Sequence, residues 1–183
     1  MNRGFVPSPT DIASNCKTVQ IGDQDGVGDQ VRLQGPTVII QDVLQPERLL
    51  FADSPIGKIK SLNITNNAVL TEYTGVGELA ALAQNPITGE VYFSSQVVHS
   101  QITKIYRLPG NNLNSTAQLV GTLGITHVSL TTFQFTNMIF IHNATKLVVF
   151  LPSIQYAADV QMFDIPISPP INIFCYFLLS CIP

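Results

Sequence analysis

Four sets of residues could do chemistry. His99, His127 and His142 are the first. Neutral imidazole is a common metal ligand. No two of these histidines stand at zinc-site spacing, yet residues from successive repeats can converge on a common axis. Asp23, Asp25 and Asp29 are the second set, crowded into one glycine-rich loop. Ca²⁺ takes several oxygen ligands, but the terminal bidentate Glu of an EF-hand is missing, and a solvated turn explains the same spacing. Cys16, Cys175 and Cys181 form no CxxC pair, and an odd, dispersed set does not describe a disulfide framework. The last set is three sequons at Asn63, Asn114 and Asn143. About two are expected by chance from this composition, so their number alone says little. Asn114 and Asn143 fall in expected turns, where a glycan is tolerated, and Asn63 near a strand end. The chain contains no Gly-x-Ser-x-Gly elbow, P-loop or HExxH helix, and the sequence places no catalytic base beside Ser94-Ser95. These patterns assign no catalytic, metal-binding or cofactor-binding residue, and no cofactor.

The elements that carry these residues are short strands. Apolar residues make up 45% of the 183 and charged residues only 11%, which excludes a disordered chain. Frequent Thr, Val, Ile, Tyr and Phe suit pleated surfaces, and 12 Gly with 12 Pro supply the breaks. Thr37–Ile40, Arg48–Asp53, Lys58–Ile64 and Ala68–Thr74 read as four strands joined by tight turns. The unit recurs: Leu79–Ala83, Glu90–Ser95, Gln101–Leu108 and Ala117–Leu123, with 42 residues from Asp53 to Ser95. A fixed period of this size marks a repeat architecture, here one propeller blade per unit. A looser third copy runs through Thr131–Ile141, Lys146–Leu151 and Ala158–Ile165. A helix over Leu79–Gln84 would be too short to hold before Asn85-Pro86.

The first unit resembles the NHL repeat. Gly22-Asp-Gln-Asp25-Gly26-Val-Gly28, then Arg32-Leu33 and Pro36, look like that family's loop leading into a blade. Leu50-Phe-Ala-Asp53 and Lys58-Ile-Lys60 look like its two following strands. Leu33 stands for the usual Phe, and Lys58 and Lys60 for Arg. In the second unit Ser95 replaces the Asp, and the loop shrinks to Gly75-Val-Gly77. Gly22, Asp25, Gly26, Gly28, Pro36 and Asp53 form the blade motif, and each has a structural reason. The glycines allow positive φ, Pro36 starts the innermost strand, and the Asp53 carboxylate can cap turn amides.

The expected fold is therefore all-β: an NHL-type propeller of about three four-stranded blades, similar to part of a six-bladed ring. The blades fall at about 19–77, 78–124 and 125–165. An irregular lead-in covers 1–18, and a Pro-rich linker with an apolar tail covers 166–183. Three blades leave open edges, so the chain reads as part of a ring or as one that closes by self-association. The resemblance implies a non-catalytic scaffold for protein or glycan recognition, extracellular or at the cell surface. The second reading is a fragment or degenerate member of a propeller hydrolase or lyase with a channel metal. Net charge is −3 and the nine Lys and Arg are scattered, which argues against nucleic-acid binding. The N-terminal residues show no apolar signal segment. The apolar run Ile171–Pro183 would reach only about 20 Å as a helix, so no membrane span is expected.

Overall fold

Alternating apolar residues between Gly, Pro and Asn turns produce strands wherever the chain is described. The computed structural model describes residues 21–75, 77–96, 102–124, 137–141, 143–151, 159–165 and 175–177. Sheet 1 holds β1 (Gly26–Val27), β2 (Pro36–Gln41), β3 (Arg48–Asp53), β4 (Lys58–Asn63) and β5 (Ala68–Thr74). Sheet 2 holds β6 (Glu78–Gln84), β7 (Val91–Gln96), β8 (Ile102–Leu108) and β9 (Gln118–Gly124). Sheet 3 holds β10 (Asn137–Ile141), β11 (Lys146–Leu151), β12 (Asp159–Asp164) and β13 (Cys175–Phe177). All pairings within the sheets are antiparallel. The orders are β1-β5-β4-β3-β2, β6-β7-β8-β9 and β10-β11-β12-β13. Among the described residues the only helical turns are two 3-10 turns, Gly28–Gln30 and Ser54–Ile56.

Sheets 1 and 2 share more than antiparallel pairing. The register slips between Pro36 and Val38 in β2, and between Leu79 and Ala81 in β6. It slips again between Ile59 and Lys60 in β4, and between Ile105 and Tyr106 in β8. Bulges on corresponding strands add the same local twist to both sheets. The first strands gather together, with β6 lying against both β2 and β10. This radial stack of antiparallel sheets, of four or five strands each, is a β-propeller arrangement.

The core lies in the seams between sheets. One seam packs Leu50, Ala52 and Ile59 of sheet 1 against Leu79, Leu82, Val91, Phe93 and Leu108 of sheet 2. The next packs Ala81, Tyr92 and Ile105 of sheet 2 against Met138, Leu147, Val149 and Phe163 of sheet 3. Successive residues of β3 and β7 therefore serve opposite faces, as the pleat requires. A third, smaller cluster covers the outer face of sheet 1: Phe51, Leu62 and Val69 beneath Val31 and Leu33 of the glycine-rich loop. An apolar groove of about 270 Å³ runs along this face beside Val38 and Ile39.

Two expectations change. Sheet 1 has a fifth strand, because Gly26–Val27 of the glycine-rich loop pairs with Ala68–Val69 at the outer edge. Sheet 3 does not stop at residue 165: β13 comes from the apolar tail and pairs with β12, Phe163 opposite Cys175. The Pro-rich linker hides this continuity in the sequence. Leu79–Gln84 is strand β6. The 1–18 lead-in lies outside the described residues.

Candidate functional site

The three aspartates of the glycine-rich loop do not form a cation cradle. Lys58 is ion-paired with Asp23. Lys60, wholly buried, places its ammonium 2.9 Å from Asp23, 2.7 Å from Asp25 and 2.9 Å from the Thr71 hydroxyl. An ammonium has three protons, and all three are used. Asp25 also accepts the Thr71 N–H (2.7 Å) and hydroxyl (2.9 Å). The bonds from Lys58 and then Lys60 hold the Asp23 carboxyl below its usual range. Burial alone would raise Asp25, but the bonds from Lys60 and Thr71 outweigh it and its pKa falls. Burial likewise opposes the Lys60 charge, and the two aspartates overcome that and raise its pKa. Lysine therefore fills the place a calcium ion would need. Asp29 lies inside the 3-10 turn Gly28–Gln30 and takes no part in these bonds.

The rest of the motif closes the same loop. Gly22 donates its N–H to the Leu33 carbonyl (3.3 Å). Gly26 lies in β1, and Gly28 turns the chain at φ 55°, where a side chain is disfavoured. The buried Asp53 carboxylate accepts the N–H groups of Gln34 (3.1 Å) and Gly35 (2.6 Å), fixing the loop just before Pro36 opens β2. Pro36 pairs with Asp53 across the strands. Gly57, at φ 65°, sits where a Cβ would come within 2.5 Å of the Gly77 carbonyl, so the turn after β3 touches the connection into sheet 2.

A second polar cluster sits at the opposite end of the strands and has no counterpart in the sequence motif. Asp42, fully buried in the turn between β2 and β3, accepts a bond from Arg48 Nε (2.6 Å). Arg48 also reaches Glu72 (3.3 Å), which accepts the Ser61 hydroxyl (2.6 Å). Gln84, at the end of β6, donates to Asp42 (3.0 Å) and to the Gly89 carbonyl (3.0 Å), and it accepts the Val43 N–H (2.8 Å). Sheets 1 and 2 are thus tied through Asp42. One blade on, Asn85 caps the β6–β7 turn by accepting the Ile87 and Thr88 N–H groups. It also donates to the Ala144 carbonyl (3.3 Å) of sheet 3. The braced turns present Val43, Leu44 and Ile87 to solvent. Gly89 leaves room for Leu44, and Gly110 lies against the Gly89 backbone.

The seam between sheets 1 and 2 opens into a pocket of about 410 Å³. Tyr73 from β5, Phe93 from β7 and Tyr106 from β8 line it, together with Asn114, Ser115 and Thr116 of the β8–β9 loop. Phe93 contacts both tyrosines, tilted to Tyr73 at 5.1 Å and stacked on Tyr106 at 5.4 Å between ring centres. Burial, and then the neighbouring Tyr106, raise the Tyr73 pKa. The Ser115 hydroxyl is buried with no hydrogen-bond partner.

The three sequons have different surroundings. Asn63 is half-buried, and its side-chain oxygen already accepts the Thr65 (2.8 Å) and Asn66 (3.3 Å) N–H groups. Asn114 is exposed on the pocket rim, and Thr116 is exposed beside it. Asn143 is exposed in the β10–β11 turn at φ 53°. His99, His127 and His142 lie outside the described residues, as does Cys16. Among the described residues no three His, Cys, Asp or Glu side chains gather as a metal site. Nor is any helix among them long and apolar enough to cross a membrane.

The strand arrangement has a solved counterpart. One chain of a nidogen/laminin complex superimposes with a TM-score of 0.54 at 14% identity, over 74% of this chain and 46% of that one. An auxiliary nutrient-binding protein from Bacteroides thetaiotaomicron matches with a TM-score of 0.40 at 11% identity, over 78% of this chain and 42% of that one. The chain therefore spans less than half the length of either structure. No family model and no curated protein matches it. The protein is all-β, with a β-propeller-like fold of three antiparallel sheets among the described residues.

Proposed function

We propose that this chain is part of an NHL-type propeller that works as a non-catalytic protein-recognition scaffold, outside the cell or at its surface. The observation that carries the reading is the braced turn end. Asp42, Gln84 and Asn85 lock successive turns to one another, and those turns hold Val43, Leu44 and Ile87 in solvent. A rigid frame carrying exposed apolar side chains lowers the ordering cost of binding, and covering those side chains removes apolar area from water. The NHL assignment is supported by the motif residues, which together close the loop into blade 1: Gly22, Asp25, Gly26, Gly28, Pro36 and Asp53. Placement outside the cell is supported by the exposed sequons and by the likeness to a chain of the nidogen/laminin complex. The test is a binding screen of the full chain against an array of purified secreted proteins and ectodomains, laminin included. It is run beside a folded Leu44→Asp, Ile87→Asp double variant. Binders lost in the variant support the reading. No binder, or binders held equally by both proteins, overturns it.

A further inference from the structure

The seam pocket and the sequon at Asn114 occupy one place, and together they define an occupant. We propose that Asn114 is glycosylated and that the first sugar of its glycan, an N-acetylhexosamine ring, seats in the pocket between sheets 1 and 2. This rests on the extracellular reading above. In the reaction the Asn114 amide nitrogen displaces a lipid-linked pyrophosphate from the anomeric carbon of the donor oligosaccharide. A C–N bond forms, the C–O bond breaks, the nitrogen loses one proton, and no electrons change hands. The acceptor asparagine and the Thr116 hydroxyl that completes the motif are both exposed.

The pocket suits such a ring on three counts. Its size, about 410 Å³, lies in the range of about 300–1,000 Å³ that holds small molecules. No charged side chain lines it, which matches a neutral, hydroxylated ligand. Tyr73 and Tyr106, both partly exposed and backed by the buried Phe93, offer aromatic surface whose negative quadrupole attracts the C–H groups on one face of a pyranose. Asn114 itself lines the pocket, so a ring bonded to its side chain starts there. Tyr73 belongs to sheet 1 and Tyr106 to sheet 2, so the seated sugar bridges the seam.

The test expresses the full chain behind a secretion leader in a glycosylating eukaryotic host. Peptide mapping reads occupancy at Asn114. The glycosylated protein should melt about 2–4 °C above Asn114→Gln. The rise should vanish in a Tyr106→Leu background, a double-mutant cycle that isolates the ring contact. In the wild-type glycoprotein the N-acetyl methyl resonance should move upfield under the aromatic rings, a readout that stands even if Tyr106→Leu fails to fold. An unoccupied Asn114, an unshifted methyl, or a rise that survives Tyr106→Leu overturns the proposal. Location is read separately, from glycans on the protein in its own cells. A sugar that seats only in the expression host sinks the extracellular reading and leaves the seat standing.

Discussion

Lys60 in sheet 1 and Tyr106 in sheet 2 hold the same place in consecutive blades. Lys60 lies opposite Phe51, and Tyr106 lies opposite Phe93, 42 residues after Phe51. Both pairs face the side from which the chain enters its blade. In sheet 1 a charged loop covers that face, and the residue is an ammonium buried among Asp23, Asp25 and Thr71. In sheet 2 the face is covered by sheet 1 itself, and the residue is an aromatic ring stacked on Phe93. One strand position is solved electrostatically in one blade and by apolar packing in the next. The chemistry of the covering surface decides which. A buried ammonium is stable only when fully paired, and an aromatic ring only when it removes area from water.

Four predictions test that contrast. Phe93→Ala should cost most, about 3–5 kcal/mol in urea unfolding, because it opens a cavity in the seam core. A loss near that of a surface change would mean the seam does not hold the two sheets together. Lys60→Met should cost about 3 kcal/mol, the low end for removing one partner of a buried ion pair, since both aspartates keep partial access to water. A neutral or stabilising result would show that Val31 and Leu33 alone hold the loop. Asp53→Ala should cost about 2 kcal/mol by leaving the Gln34 and Gly35 amides unpaired. Hydrogen exchange there should quicken while the seam stays protected.

The smallest effect is the pH dependence. Asp23 and Asp25 have folded pKa values below 3.8. Their stabilisation is therefore complete above the unfolded value and lost as pH falls through the folded ones. Lys60 is raised above 10.5, so its share is complete below that and lost as pH rises through the folded value. Wild type should lose more stability than Lys60→Met on acidification from pH 5 to about pH 2. Parallel curves in thermal melts would disprove the ionic account of the loop.

Much of the frame was legible in the chain. The strands of sheets 1 and 2 follow from alternation, Gly and Asn turns, and the 42-residue step, all of which are local signals. The polar chemistry was not. Asp23 and Asp25 invite a reading as calcium ligands or as a solvated turn, because Lys58 and Lys60 stand some 35 residues away. Asp42 reads as an ordinary turn residue until Gln84, 42 residues on, donates to it. β13 escaped because Pro166, Pro169 and Pro170 interrupt the pattern that would have joined it to sheet 3.

The sequence by itself settled the class of structure: short strands, their turns, and the repeat that stacks them. It did so because pleat and turn preferences act between near neighbours. Only the tertiary structure decided which charges are paired, which turns are braced, and where Asn114 stands relative to three aromatic rings. Those outcomes depend on groups brought together from different blades, and burial then fixes whether each is neutralised, satisfied or left open.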